Sequence, residues 1–168
     1  TAPLGHIVEN RVLRRALLRR LAALPNVTMV TGAKLRRLDR GRVSVEAETN
    51  GGVRITAPLV VATDGRASPT RSQAGIDIVS WNYNQTGIVC TVAHQFDHRG
   101  IAQERFLPAG PFAILPMTQQ RSSIVWTERA ELAPRLLALD RPALTEELAR
   151  RFGDYLGTLE LVGPVFSY

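Results

Sequence analysis

The segment Asp64-Gly65-Arg66-Ala67-Ser68-Pro69-Thr70-Arg71 contains residue types that can bind the hydroxyl groups of a ligand. It follows the apolar run Leu59-Val60-Val61-Ala62, which predicts a buried strand that ends at Asp64. A carboxylate at a strand end can accept hydrogen bonds from ribose hydroxyls, and Gly65 allows a ligand to approach the backbone closely. Taken alone, the same residues also fit an Asp-Gly surface turn stabilised by its serine and its last arginine.

Two histidines and one cysteine could in principle bind a metal or act as a nucleophile. His94 and His98 flank Asp97, but a metal site needs three or four convergent ligands. We therefore expect no metal site and place both histidines at a solvent-exposed edge. Cys90 has no histidine partner implied by the sequence, so we expect a buried strand residue and no catalytic nucleophile.

The first 42 residues are strongly basic. They hold ten Lys or Arg and two Asp or Glu, which leaves +8, whereas residues 43–168 carry −2. Such a segment predicts an anionic partner: nucleic acid, a phosphate-bearing cofactor or a lipid surface. Five of the arginines fall on a predicted helix over residues 8–24, beside leucines at helical spacing. Because this helix lacks interleaved aromatic residues, we expect a solvated face and no nucleic-acid partner.

The remaining pattern predicts two parts that meet near residue 72. In residues 1–72, the helix is followed by a hairpin around Asn50-Gly51-Gly52 and then by the Asp-Gly strand. In residues 73–168 we expect strands over 86–96, 103–107, 112–117, 122–127 and 159–166, and a helix over 142–152 that ends before Gly153. The predicted fold class is therefore α/β in the first part and α+β in the second, with an antiparallel or mixed sheet.

The composition is that of a soluble globular protein. Of 168 residues, 45% are hydrophobic and 21% charged, so the chain can bury a core. No apolar run approaches the roughly 18 residues that a membrane span requires. A single cysteine excludes an internal disulfide and favours a reducing compartment.

Three blocks follow one another along the chain. They are Val8-Glu9-Asn10-Arg11-Val12-Leu13-Arg14-Arg15-Ala16-Leu17, the Asp64–Arg71 segment, and Glu104-Arg105-Phe106-Leu107-Pro108-Ala109-Gly110-Pro111-Phe112-Ala113-Ile114-Leu115-Pro116-Met117. In this order they resemble the class A flavoprotein aromatic hydroxylases, in particular the octaprenyl-phenol hydroxylase branch of ubiquinone biosynthesis. Members of the family usually read Gly-Ala-Asp-Gly, whereas this chain reads Ala62-Thr63-Asp64-Gly65.

The resemblance implies part of a Rossmann-like FAD-binding domain in residues 1–72, joined to a substrate-binding domain in residues 73–168. It places four residues at the cofactor, namely Asn10, Arg14, Asp64 and Gly65. It places two residues near the aromatic substrate, Gln103 and Arg105. The parent enzyme would bind FAD, take hydride from NADH or NADPH, and use O2 to hydroxylate a phenol, here a polyprenylated ubiquinone precursor. It would work in the cytoplasm, with a peripheral membrane contact as an option.

The chain departs from the family pattern at the pyrophosphate-binding turn. No Gly-x-Gly occurs in it, whereas the family needs Gly-x-Gly-x-x-Gly between its first strand and helix. We therefore expect an internal fragment that does not hold FAD firmly and is inactive alone. Two alternatives stay open: a hydroxylase for a soluble aromatic substrate, and a non-catalytic basic binding module. The oligomeric state is not indicated.

Overall fold

The computed structural model of the chain describes residues 5–168, which form two compact units. One unit is Arg14–Trp81, and the other consists of residues 5–13 and Asn82–Tyr168. The helices are α1 (Asn10–Ala22), α2 (Pro69–Gln73), α3 (Ala133–Leu137) and α4 (Arg141–Phe152). The strands are β1 (Leu35–Arg40), β2 (Val45–Thr49), β3 (Arg54–Ala57), β4 (Gln85–His94), β5 (Gln103–Leu107), β6 (Gly110–Met117), β7 (Arg121–Arg129) and β8 (Leu159–Ser167). The domain boundary near residue 72 stays a prediction, and residues 1–4 of the predicted first domain lie outside the described residues.

The predicted hairpin in the first unit is confirmed. β1, β2 and β3 form an antiparallel sheet in that order, and Asn50-Gly51-Gly52 makes the turn between β2 and β3. The Asn50 side chain accepts a hydrogen bond from the Lys34 main-chain N–H at 3.0 Å, which ties the turn to the start of β1. The hydrophobic pattern missed β1 because four of its six residues are charged.

The prediction of a strand directly before the Asp-Gly segment is wrong. Leu59-Val60-Val61-Ala62 has no regular structure, and Leu59 and Val61 are 72% and 73% exposed. A strand needs a hydrogen-bonded neighbour, and none of the described strands pairs with this run. The apolar composition of the run is therefore not sufficient to make it a strand among residues 5–168.

The second unit is built on a five-stranded sheet of order β5-β6-β7-β4-β8. The predicted meander β5-β6-β7 is confirmed, and its pairing is antiparallel throughout. One face of the sheet packs against α4, whose Leu144, Leu148 and Phe152 are buried with Phe112 and Trp126 in the core. This packing also buries Cys90, as predicted, and burial raises the pKa of its thiol to about 12.

Both ends of α4 follow from its sequence. The Asp140 carboxylate accepts a hydrogen bond from the Ala143 N–H at 2.9 Å, and this caps the first turn. The helix ends as predicted at Gly153, whose φ of 85° is costly for other residues. Between these ends, the Arg141 guanidinium donates to the carbonyl oxygens of Leu161 and Gly163 on the edge strand β8.

We expect Gly110→Ala to lower the free energy of unfolding of the second unit by about 1–3 kcal/mol. Gly110 has a φ of 138°, and an added Cβ would stand 2.6 Å from the Thr127 Cγ2 atom. Urea unfolding measures this loss. Gly100→Ala is the matched control in the same unit, because Gly100 also has positive φ but no atom within 4 Å of an added Cβ. Equal losses for the two variants would show that the contact with Thr127 does not matter.

Candidate functional site

The Asp-Gly segment folds back on its own carboxylate. One oxygen of Asp64 accepts a hydrogen bond from the Ser68 hydroxyl, and the other accepts one from the Thr70 N–H at 3.1 Å. Ser68 in turn accepts from the Arg71 N–H at 3.0 Å and so caps α2. Gly65 has a φ of 88°, as its predicted tight conformation requires. The carboxylate therefore braces the turn, and Asp64 remains exposed, so a ligand can reach it.

These hydrogen bonds favour the ionised form of Asp64. The Ser68 hydroxyl has the largest effect and the Thr70 N–H the next, and together they lower the pKa of Asp64 from 3.8 to about 2. At neutral pH the segment thus presents a fixed negative charge. A fixed carboxylate accepts hydrogen bonds from hydroxyl groups and repels phosphate.

The lowered pKa of Asp64 predicts how the turn responds to acid. Its stabilising effect should be complete above pH 3.8 and should be lost as the pH falls through about 2, because protonation then removes the charge. An NMR titration of the Asp64 carboxyl carbon should show a midpoint near 2. Ser68→Ala should move that midpoint upward, since it removes the strongest hydrogen bond. A midpoint of 3.8 in the unaltered chain would contradict this geometry.

The Asp-Gly segment lines a cavity of about 550 Å³ within the Arg14–Trp81 unit. Asp64, Gly65 and Arg71 lie on its wall, which also includes Leu38 and Val45 of the three-stranded sheet. No heavy atom lies within 4 Å of the position that a Cβ on Gly65 would take. The backbone at this glycine is thus open to close approach by a ligand.

The other two cofactor candidates lie on α1. Asn10 is its first residue and Arg14 follows one turn later, so the two side chains share a face of the helix. Both are exposed, and α1 buries none of its residues. The same helix also carries exposed leucines, which include Leu13 and Leu17.

The two substrate candidates lie on β5, at the edge of the five-stranded sheet. Gln103 pairs with Ile114 and Arg105 with Phe112, so both side chains are on the face that α4 covers. The Arg105 guanidinium donates to the Arg151 carbonyl oxygen at 2.6 Å, at the end of α4. Arg105 therefore fixes the position of β5 against the helix, and Gln103 is on the same side of the strand.

A charged cluster next to Arg105 was missed by the sequence reasoning. The Arg151 guanidinium lies 4.3 Å from the centre of the Trp126 ring and donates to the Glu147 carboxylate at 2.6 Å. The buried Glu128 carboxylate is 3.7 Å from the same guanidinium. The spacing of Glu147 and Arg151 on a helix could have indicated the first pair. The contact with Trp126 depends on how the helix crosses the sheet, and no local signal gives that.

The prediction that both histidines lie at a solvent-exposed edge is wrong for His94, whereas His98 is half-buried. His94 is 6% exposed, since β4 carries it into the helix-covered face. Its Nδ1 donates to the Phe96 carbonyl oxygen at 2.7 Å, and its Nε2 forms a hydrogen bond with the Ser122 hydroxyl at 3.1 Å. Within residues 5–168, no group of three or more His, Cys, Asp or Glu side chains is arranged to hold a metal ion.

The Asp-Gly cavity fits one part of an FAD site. An ionised Asp64 suits ribose hydroxyls, and the open space at Gly65 suits close approach to a backbone. The chain has no Gly-x-Gly-x-x-Gly turn to receive the pyrophosphate. The residues present therefore fit the hydroxyl-binding part of the cofactor site.

The chain is similar in sequence to two curated ubiquinone-type hydroxylases. The chain is 53% identical over 166 residues to ubiquinone hydroxylase UbiL of Rhodospirillum rubrum. The alignment covers 99% of this chain and 39% of that protein. It is 35% identical to 3-demethoxyubiquinol 3-hydroxylase of Escherichia coli, with 92% and 39% covered. The chain thus spans about two fifths of the length of these curated relatives.

Solved structures and a family model show the fold and the family. The crystal structure of PqsL, a probable FAD-dependent monooxygenase of Pseudomonas aeruginosa, superimposes with a TM-score of 0.68 at 21% identity, over 90% of this chain and 46% of that one. At this identity the likeness shows the fold alone. A family model described as FAD binding domain matches residues 6–163. The chain therefore belongs to the FAD binding domain family.

Proposed function

We propose that the protein to which this chain belongs is an FAD-dependent monooxygenase that hydroxylates a phenolic, polyprenylated ubiquinone precursor with NAD(P)H and O2. The observation that carries the proposal is the 53% identity to a ubiquinone hydroxylase over 99% of the chain. The match of the FAD binding domain model over residues 6–163 supports the cofactor. Bound FAD would supply the oxygen-transfer chemistry, so no nucleophilic side chain is needed.

The proposal gives the chain's own residues binding and positioning roles. The Asp64 carboxylate accepts a hydrogen bond from a ribose hydroxyl of the dinucleotide. Gly65 lets the cofactor approach the backbone closely. Asn10 and Arg14 contact the cofactor from one face of α1. These four assignments rest on the resemblance and on the exposure of the four residues.

Gln103 and Arg105 belong to the substrate side of the proposal. The Gln103 amide is able to donate to or accept from a phenolic hydroxyl. Arg105 joins β5 to the end of α4 by donating to the Arg151 carbonyl oxygen, and Gln103 lies on the same strand. A membrane-peripheral location in the cytoplasm completes the proposal and is supported by the basic first 42 residues. No helix among residues 5–168 has the length and apolarity needed to cross a bilayer.

The experiment that tests the function uses the full-length protein. Purified protein should contain FAD, and its NAD(P)H oxidation should be stimulated by a prenylated phenol. Stronger stimulation by a plain, soluble phenol would favour a hydroxylase for soluble aromatic substrates. Absence of flavin, or flavin without stimulation by either phenol, would overturn the proposal. The 168-residue chain alone should not retain stoichiometric FAD, because it has no pyrophosphate-binding turn.

A further inference from the structure

An ion pair joins the start of α1 to the five-stranded sheet. The guanidinium of Arg121, the first residue of β7, lies 3.5 Å from the carboxylate of Glu9, which directly precedes α1. The two residues are 112 positions apart in the chain, and both belong to the second unit. Neither is among the assigned cofactor and substrate residues, although Asn10 directly follows Glu9.

The pair is partly shielded from water. The side chains of Glu9 and Arg121 are 25% and 20% exposed. Water and salt screen fully exposed ion pairs, so a half-buried pair fixes the geometry of its partners better. The Arg11 guanidinium donates to the other oxygen of Glu9 and has the largest effect in lowering the pKa of that carboxyl, and the charge of Arg121 lowers it further. At neutral pH the Glu9 carboxylate is therefore ionised and holds both partners.

Hydrogen bonds fix the sheet side of the pair. The Arg121 guanidinium donates to the Thr118 carbonyl oxygen at 3.1 Å and closes the turn between β6 and β7. Gln119 and Gln120 in this turn have φ values of 63° and 49°, a left-handed conformation that is uncommon for residues other than glycine. The His94 N–H donates to the Gln120 carbonyl oxygen at 3.1 Å and ties the turn to β4. The sheet therefore sets the position of the guanidinium.

The helix side of the pair controls where Asn10 lies. The Glu9 carbonyl oxygen accepts hydrogen bonds from the N–H groups of Val12 and Leu13, at 2.9 and 3.1 Å. Glu9 therefore begins the hydrogen bonding of α1, and Asn10 is the first helical residue after it. Because the peptide unit between Glu9 and Asn10 is planar and rigid, a shift of Glu9 carries Asn10 with it.

We propose that Glu9 and Arg121 are positioning residues, which hold Asn10 at a fixed place relative to the five-stranded sheet. That sheet carries the substrate candidates Gln103 and Arg105 on β5, next to β6, whose turn Arg121 closes. A cofactor and its substrate react only within a narrow range of distances, so the elements that contact them need a fixed link. The inference rests on the proposed function, because that function gives Asn10 its contact with the cofactor.

Amide hydrogen exchange in the full-length protein tests the link without any flavin chemistry. Arg121→Gln should speed exchange at the Val12 and Leu13 N–H groups about two- to ten-fold, because the first turn of α1 loses its anchor. The matched control is Arg36→Gln, which breaks a 3.3 Å ion pair with Glu48 in the three-stranded sheet and should leave both groups unchanged. Unchanged exchange in Arg121→Gln, or equal acceleration in the control or throughout β4, would overturn the inference.

FAD affinity shows whether the pair acts through Asn10. Arg121→Gln and Asn10→Ala should each weaken FAD binding by the full-length protein about three- to ten-fold, as measured by quenching of flavin fluorescence. The double variant should bind no more weakly than Asn10→Ala, because the pair then has no amide left to position. Additive losses in a protein that binds flavin would overturn this inference alone, whereas absence of flavin from the unaltered protein would overturn the proposed function.

Discussion

Phe152→Ala should lower the free energy of unfolding of the second unit by about 3–5 kcal/mol, the range for truncating a fully buried phenylalanine. The Phe152 side chain has no exposed surface, and its ring stacks on Tyr155 at the end of α4. Alanine would leave a cavity between the helix and the sheet and would remove the stacking partner. Urea unfolding followed by the fluorescence of the buried Trp126 measures the change.

The matched control for this substitution is Phe106→Ala. Phe106 is 84% exposed on β5, so its truncation should change the free energy of unfolding by about 0.5 kcal/mol or less. A loss for Phe152→Ala no larger than that for Phe106→Ala would mean that α4 does not pack on the sheet as described. Loss of the unfolding transition itself would instead place Phe152 among the residues without which the unit cannot fold.

The second unit was predictable from sequence because its signals are local. Short turns such as Pro108-Ala109 separate runs of β-branched and aromatic residues, and Asp140 and Gly153 mark the ends of α4. Burial was less predictable. His94 looked like an exposed residue beside Asp97, yet the strand parity that buries Cys90 and Val92 also buries His94.

The candidate site was predictable only in part, for a physical reason. The Asp64 carboxylate and the positive φ of Gly65 follow from residue type and turn chemistry. The strand predicted before them requires neighbours from distant sequence, which the described residues do not supply. Likewise, the side of β5 on which Gln103 and Arg105 lie depends on the register with β6.

Asp64→Asn in the full-length protein should weaken FAD binding about 10- to 100-fold. A hydrogen bond to a charged group contributes about 1.5–3 kcal/mol, and each 1.4 kcal/mol corresponds to a factor of ten. The amide has one oxygen in place of two, so it cannot brace the turn and also serve a ribose hydroxyl as the carboxylate can. Quenching of flavin fluorescence measures the dissociation constant.

Ser68→Ala separates binding by Asp64 from bracing of the turn. This variant removes the strongest hydrogen bond to Asp64 but keeps the charge. FAD affinity should therefore fall much less than in Asp64→Asn. If both variants weakened FAD binding equally, the carboxylate would act only by shaping the turn, and its assigned contact with the cofactor would be wrong.

Arg141 has a consequence for how copies of this molecule behave towards one another. β8 lies at the edge of the five-stranded sheet, and a bare edge strand is a template on which a second chain can add. Arg141 occupies two of its carbonyl oxygens, at Leu161 and Gly163, so these positions cannot accept N–H groups from a neighbouring strand without displacing the guanidinium. Arg141 therefore disfavours aggregation in which a strand of another copy adds to the β8 edge.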